Sequence, residues 1–214
     1  MTLKILYEDN HLLVLEKPGG VLTQPSGTNQ ISLEEMGKQW IKKSYGKQGN
    51  VFLEAVHRLD QAACGIVVFA KTRKALSRLM LAIREKRVKK WYRTQVECAP
   101  QQNEGRLIHY LMHKKHRAEV VSGDELGAKY ASLTYKVIKP GKYPILEIQL
   151  ETGRYHQIRC QLSAIGCPII GDKKYGSSIP YHGPGIALCH VRMEIPHPVT
   201  GETLYTESTS KIGF

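Results

Sequence analysis

The segment Val56-His57-Arg58-Leu59-Asp60-Gln61-Ala62-Ala63-Cys64-Gly65 sets one carboxylate, Asp60, in a polar stretch that runs into the apolar sequence Gly65-Ile66-Val67-Val68-Phe69-Ala70. A charged residue beside the end of a buried strand is well placed to line a cleft, where a carboxylate can serve as nucleophile or base. The same position suits an ordinary aspartate that caps turn amides, because Asx turns are common. A second polar group, Thr152-Gly153-Arg154-Tyr155-His156-Gln157-Ile158-Arg159, carries Arg154, His156 and Arg159. Residues three apart on a helix share a face, so His156 and Arg159 would project together. A guanidinium such as Arg159 beside a buried carboxylate would keep it ionised. A solvated basic face is the alternative. Arg84-Glu85-Lys86-Arg87-Val88-Lys89-Lys90-Trp91-Tyr92-Arg93 holds six basic residues, one acidic and two aromatic. Charge for phosphate and a ring face for a base is what recognition of unstacked RNA requires. The plainer reading is a helix end followed by a strand whose aromatics enter the core. On a strand, Trp91 and Tyr92 point to opposite faces.

Other chemistries lack their marks. His109, His113 and His116 have a spacing at which two could share a helical face, but no fuller ligand set surrounds them, and Lys114 and Lys115 add repulsion. No metal is expected. There is no Gly-x-Ser-x-Gly elbow for a hydrolase, no P-loop and no Gly-x-Gly-x-x-Gly fingerprint. No cofactor is expected either. The charge balance is strongly positive: 31 Lys and Arg against 19 Asp and Glu leave +12, with a pI near 9.5. Such a field attracts polyanions, of which nucleic acid is the commonest. Five cysteines without a C-x-x-C pair read as reduced thiols rather than a disulfide frame. No apolar run approaches the roughly 20 residues of a membrane span, and Met1 to Asn10 has no leader-like core. The expectation is a soluble cytoplasmic monomer with no membrane contact.

The elements that would position these residues follow from periodicity. Ile5-Leu6-Tyr7 and Leu12-Leu13-Val14-Leu15 predict a hairpin around Glu8-Asp9-Asn10-His11, and Lys17-Pro18-Gly19-Gly20 a loop after it. Helices are predicted over Ile31 to Tyr45 with Ser32 as N-cap, and over Arg73 to Arg87. A third is predicted from near Arg154, with Tyr155, Ile158, Leu162 and Ile165 on one face and Gly166 as its end. Strands are predicted at Gly65 to Ala70, Tyr92 to Glu97, Leu133 to Ile138 and Ile145 to Leu150, with a half-buried one at Val191 to Ile195 closed by Pro196. Many strands and few helices imply an α+β fold with a mixed, largely antiparallel β-sheet and flanking helices, in a single domain of residues 1–214.

Read in order, these segments resemble the pseudouridine synthases of the RluA family over nearly the whole chain. The resemblance rests on Tyr7-Glu8-Asp9 through Lys17-Pro18-Gly19-Gly20, on His57-Arg58-Leu59-Asp60 with Gly65 and Phe69-Ala70-Lys71-Thr72, and on Lys90-Trp91-Tyr92. It continues through Leu150-Glu151-Thr152-Gly153-Arg154-Tyr155-His156-Gln157-Ile158-Arg159 and Ile195-Pro196-His197-Pro198. This chain has Ala63-Cys64 where the family usually has Thr-Ser, and Gln61 where a basic residue is frequent. With motifs beginning near Met1, no N-terminal S4-type RNA-binding domain is expected.

The resemblance implies a catalytic domain with a central RNA-binding cleft, and isomerisation of selected uridines in structured ribosomal or transfer RNA to pseudouridine. Asp60 would be the catalytic carboxylate, acting as nucleophile or as base toward the ribose. Tyr92 would stack on the uracil, and Arg159 would hold Asp60 ionised and oriented. Arg58 would fill the gap left by the flipped base. Lys86, Arg87, Lys89, Lys90, Arg154 and His156 are the expected RNA contacts. No small-molecule cofactor is implied, since the detached base is itself the returning nucleophile. A catalytically silent RNA-binding protein and a nucleosidase or glycosylase are the competing readings.

Overall fold

The computed structural model describes residues 3–210, which divide into two compact units. The first holds residues 3–89 and 190–210, the second residues 90–189. The chain opens with β1 (Lys4–Glu8) and β2 (Leu12–Lys17), an antiparallel hairpin. Its turn is set by Asp9, whose Oδ1 accepts from the amides of His11 at 2.8 Å and Leu12 at 2.6 Å. Helix α1 (Leu33–Ser44) begins with a reciprocal capping box between Ser32 and Glu35. Gly37 is fixed by packing: a Cβ there would lie 2.6 Å from the Leu53 side chain. The two-residue β3 (Glu54–Ala55) pairs with β4 (Cys64–Ala70), and α2 (Arg73–Arg84) follows, capped by Thr72.

From Gly65 onward every residue of β4 is buried, as its uninterrupted apolar run predicts for a strand covered on both faces. α2 ends three residues before the predicted Arg87. Lys86 takes up a left-handed φ of 57°, and the amides of Lys86 and Arg87 return to the carbonyls of Ile83 and Ala82. This is a Schellman stop built on lysine instead of the usual glycine.

The second unit begins with β5 (Lys89–Gln95) and continues through β6 (Glu104–Lys114), β7 (Arg117–Val121), β8 (Lys129–Lys139) and β9 (Ile145–Leu150). These run in the spatial order β5-β9-β8-β6-β7, with every neighbouring register antiparallel. The β6–β7 hairpin corrects the helical reading of the histidines. His109 and His113 lie on β6, and His116 sits in the turn that Lys114 and Arg117 close. Among the described residues no group of three or more His, Cys, Asp or Glu is arranged to hold a metal.

Helix α3 (Gln157–Ala164) packs Cys160 against Leu111, Ala118, Ala131 and Tyr175. It starts three residues later than predicted, because His156 adopts the left-handed conformation at its N-cap. Tyr155 consequently lies outside the helix and is exposed. The chain ends its described path with β10 (Leu188–Pro196) and β11 (Thr203–Glu207), an antiparallel pair. Met193 and Ile195 of β10 complete the core of the first unit, with Leu12, Val14, Ile66, Val68 and Leu79. The fold is thus α+β, with largely antiparallel strands and, among the described residues, three α-helices. No helix among the described residues is long and apolar enough to cross a membrane.

Candidate active site

In the first unit, Asp60 lies on the loop between β3 and β4, and both flanking peptides are clamped. On one side, the Thr23 hydroxyl accepts the Leu59 amide at 3.2 Å and donates to the Leu59 carbonyl at 3.0 Å. On the other, the Gln61 carbonyl accepts the Gly20 amide at 2.8 Å and the Lys17 ammonium at 3.1 Å. Lys17 is wholly buried and also donates to the carbonyls of Pro18 and Val21, at 3.0 and 2.8 Å. An ammonium satisfied by backbone carbonyls can tolerate such burial, and here it ties the Lys17-Pro18-Gly19-Gly20 loop to the Asp60 loop. Gln61 adds its own latch, donating to the Gly20 carbonyl and to Gln30 Oε1, each at 3.0 Å.

Exit from the loop is equally constrained. Gly65 has φ +113°, and a Cβ there would fall 2.2 Å from the His190 carbonyl oxygen, so only glycine fits. Asp60 is left half-buried between fixed peptides, with Arg58 exposed beside it. A group that must meet a reacting atom within fractions of an ångström needs this kind of backing.

The second unit holds the other expected catalytic residues. Tyr92 is the inward-facing member of the Trp91-Tyr92 pair, 6% exposed and opposite Ile148 of β9. Trp91, on the other face of β5, lines an open groove of about 360 Å³ with Glu104, Thr134, Lys136, Glu147 and Gln149. Arg159 is buried, not part of a solvated face. It binds Asp172 through two hydrogen bonds, Nε to Oδ2 at 2.6 Å and Nη2 to Oδ1 at 2.8 Å. Its guanidinium also sits 4.9 Å from the Tyr175 ring centroid. Gln157 orders the turn before α3, accepting from the Thr152 hydroxyl at 2.7 Å and the Arg154 amide at 3.0 Å. Its Nε2 donates to the Ser132 carbonyl at 3.1 Å.

His156, expected as an RNA contact, is placed inside the second unit at the start of α3. Its ring is buried, stacks on Tyr155 at 3.8 Å, and meets the Tyr175 hydroxyl at 2.9 Å. Burial pushes the Tyr175 phenol up to about 12, so it keeps its proton. It accepts the Ala118 amide at 2.7 Å, which leaves that proton for His156 Nδ1. Burial, followed by the charges of Arg159 and Lys174, lowers His156 to about 3. A buried neutral imidazole offers no charge to a phosphate.

A pH dependence follows. Below its ordinary pKa of 6.5, unfolded His156 takes up a proton that the folded protein refuses, so stability falls as pH drops from about 6.5 and is unaffected above. Half-buried His109, lowered by that burial, acts in the same direction. Glu16, held near 2 by hydrogen bonds from Ser208, Ser210 and Thr209 that outweigh its burial, contributes only below its ordinary 4.5. Between pH 6.5 and 4.5 the histidines therefore dominate, and His156→Asn, which tolerates the left-handed φ, is expected to flatten the denaturation midpoint over that window. An unchanged slope would remove His156 as its source.

The basic run spreads its charges differently. Lys86, Arg87 and Lys89 are exposed; Arg87 pairs with Glu85 at 2.7 Å and Lys89 with Glu194 at 3.1 Å. Such surface pairs are weak and yield readily to phosphate. Lys90 is half-buried and its pKa is lowered by that burial, which sets it apart from the exposed phosphate contacts expected. Arg154 is exposed, its Nε donating to the Tyr130 carbonyl at 2.9 Å.

Residues 11–164 match the family described as RNA pseudouridylate synthase. The chain belongs to that family. It is 32% identical over 208 residues to a dual-specificity RNA pseudouridine synthase of Haemophilus influenzae, covering 94% of this chain and 90% of the relative. A ribosomal large subunit pseudouridine synthase D of Nitrosomonas europaea is 31% identical over 220 residues, covering 96% of this chain and 61% of the relative. The human RNA pseudouridylate synthase domain containing 4 shares the fold, with a TM-score of 0.79 at 21% identity over 98% of this chain and 88% of that one.

Within the pseudouridine synthase fold, sequence reasoning missed Thr23, Asp172 and Tyr175. Thr23 carries no local signal, because its partner Leu59 lies 36 residues away. Asp172 could have been suspected, since it follows the apolar pair Ile169-Ile170 after a single glycine.

Proposed function

We propose that residues 1–214 act as one catalytic domain that converts uridines of ribosomal or transfer RNA to pseudouridine, with Asp60 as the catalytic carboxylate. The observation that carries this reading is the loop clamped at Leu59 and Gln61, which holds Asp60 ready while leaving Arg58 exposed beside it. In the reaction the N1–C1′ bond breaks, the uracil turns, and C5 bonds to C1′. C5 then releases its proton and N1 gains one, so no electrons are exchanged with an outside partner. Asp60 either attacks the nucleoside or removes a ribose proton. Arg159 keeps it ionised, and Tyr92 stacks on the base. The target leaves its stack at a cost of a few kcal/mol, and Arg58 occupies the vacated place.

Lys86, Arg87, Lys89 and Arg154 bind the surrounding phosphates. Lys86→Gly separates charge from backbone strain. It is expected to raise the unfolding free energy by roughly 0.5–1 kcal/mol by relieving a left-handed lysine. It should also reduce the salt dependence of RNA binding by about 0.7 in log–log slope. Equal salt slopes for variant and parent would exclude a phosphate contact at Lys86. The target class is tested by mapping pseudouridine at nucleotide resolution in unmodified transfer and ribosomal RNA after incubation with the full chain. Stoichiometric conversion at a defined uridine in one of them supports the proposal; no new pseudouridine in either overturns it.

A further inference from the structure

Two cysteines of the second unit are brought together by a feature outside the catalytic residues. Val96 and Ile169 form an isolated antiparallel bridge. The Ile170 amide donates to the Gln95 carbonyl and the Glu97 amide to the Pro168 carbonyl, each at 3.0 Å. These bonds flank Val96 and Ile169, which therefore face one another as a non-hydrogen-bonded pair. The bridge ends there, since the chain bends at Glu97 and Cys98. The Glu97–Pro168 bond nonetheless holds the two segments together one residue short of Cys98 on one side and of Cys167 on the other. A disulfide closes when two Cα atoms come within roughly 4.4–6.8 Å.

The surroundings divide the roles. Cys98 is exposed and Cys167 is 2% exposed. Burial, and after it the neighbouring Cys98, push the Cys167 thiol up. The other three cysteines sit apart on β4, α3 and β10.

We infer that Cys98 and Cys167 are a peroxide-responsive thiol pair that closes to a disulfide between the segment after β5 and the segment after α3. The Cys98 thiolate attacks one oxygen of a hydroperoxide; the O–O bond breaks, a sulfenic acid forms, and water or an alcohol leaves. The Cys167 sulfur then attacks the Cys98 sulfur. The S–S bond forms, the S–O bond breaks, and the departing hydroxide takes up the Cys167 proton as water. Two thiols are oxidised and one peroxide is reduced. The crosslink closes a loop that includes β6 to β9 and α3, so it restrains most of the second unit in its unfolded state.

The test treats the full chain with hydrogen peroxide, then denatures, alkylates and maps its peptides. The expected result is a dithiothreitol-reversible peptide joining Cys98 to Cys167, with Cys64, Cys160 and Cys189 still alkylated. A rise in melting temperature of roughly 5 °C or more should accompany it, and Cys98→Ser should abolish both. Cys167→Ser is the second control; if its loss of a buried thiol prevents folding, the exposed Cys98→Ser still decides. Sulfinic acid at Cys98 with Cys167 fully alkylated, or a covalent dimer through Cys98, would overturn the pairing.

Discussion

Asp60→Asn is expected to slow pseudouridine formation at least about 1,000-fold, while the protein stays folded and still binds RNA. Asparagine keeps the shape of the side chain but can neither attack as an anion nor accept a proton at neutral pH. The bonds that fix this loop run through the backbone of Leu59 and Gln61, to Thr23, Gly20 and Lys17, and survive the substitution. Loss of rate without loss of fold is therefore the signature. Single-turnover kinetics, a thermal melt and an RNA-binding titration on one preparation provide it. A variant within tenfold of the parent rate would remove Asp60 from the chemistry. A variant that merely unfolds would show the loop to be less independent of its carboxylate than the clamp implies.

The largest stability effect is expected at Asp172. Its two oxygens receive Arg159 at 2.6 and 2.8 Å, in a site where both side chains are almost wholly withdrawn from water. Asp172→Asn keeps the volume but leaves a buried guanidinium facing a neutral amide, a change that typically costs about 3–5 kcal/mol. Urea denaturation should report that loss as a lower midpoint with an unchanged slope. The paired replacement Arg159→Met with Asp172→Leu should recover most of the stability, because well-packed apolar pairs substitute for buried ion pairs at little cost. It should not recover activity, since Arg159 is then missing. A fully active double variant would confine Arg159 to a structural role, and a single variant as stable as the parent would contradict the burial argument.

Much of this was legible in the sequence where the signal is local. The Asp9 turn, the Ser32 cap and the apolar run of β4 each depend on neighbours within a few residues, and each forms as predicted. The failures share a cause. α2 and α3 are periodic beyond their real ends, and their boundaries are set by left-handed Lys86 and His156, which hydrophobic pattern does not reveal. β6 and β7 give no clear period of two, because exposed Ile108 and Tyr110 of β6 and Val120 of β7 share the outer face with charge, while His109 lies on the inner one. At the site, residue types pointed to Asp60, Tyr92 and Arg159 through their resemblance to a family. The groups that back them were hidden by sequence distance, as with Thr23, or by ordinary appearance, as with Lys17 and Tyr175. His156 and Lys90 read as RNA contacts from their basic character, and sequence pattern does not reveal that the first is buried and the second half-buried.

The most direct test of the central claim follows the fate of one hydrogen and one base. RNA carrying tritium at C5 of uridine is incubated with the full chain, and both the water and the nucleoside digest are counted. The expected result is tritium released to water in step with pseudouridine in the RNA, with the strand intact and no free uracil. Free uracil, or RNA bound with its tritium retained, would contradict it.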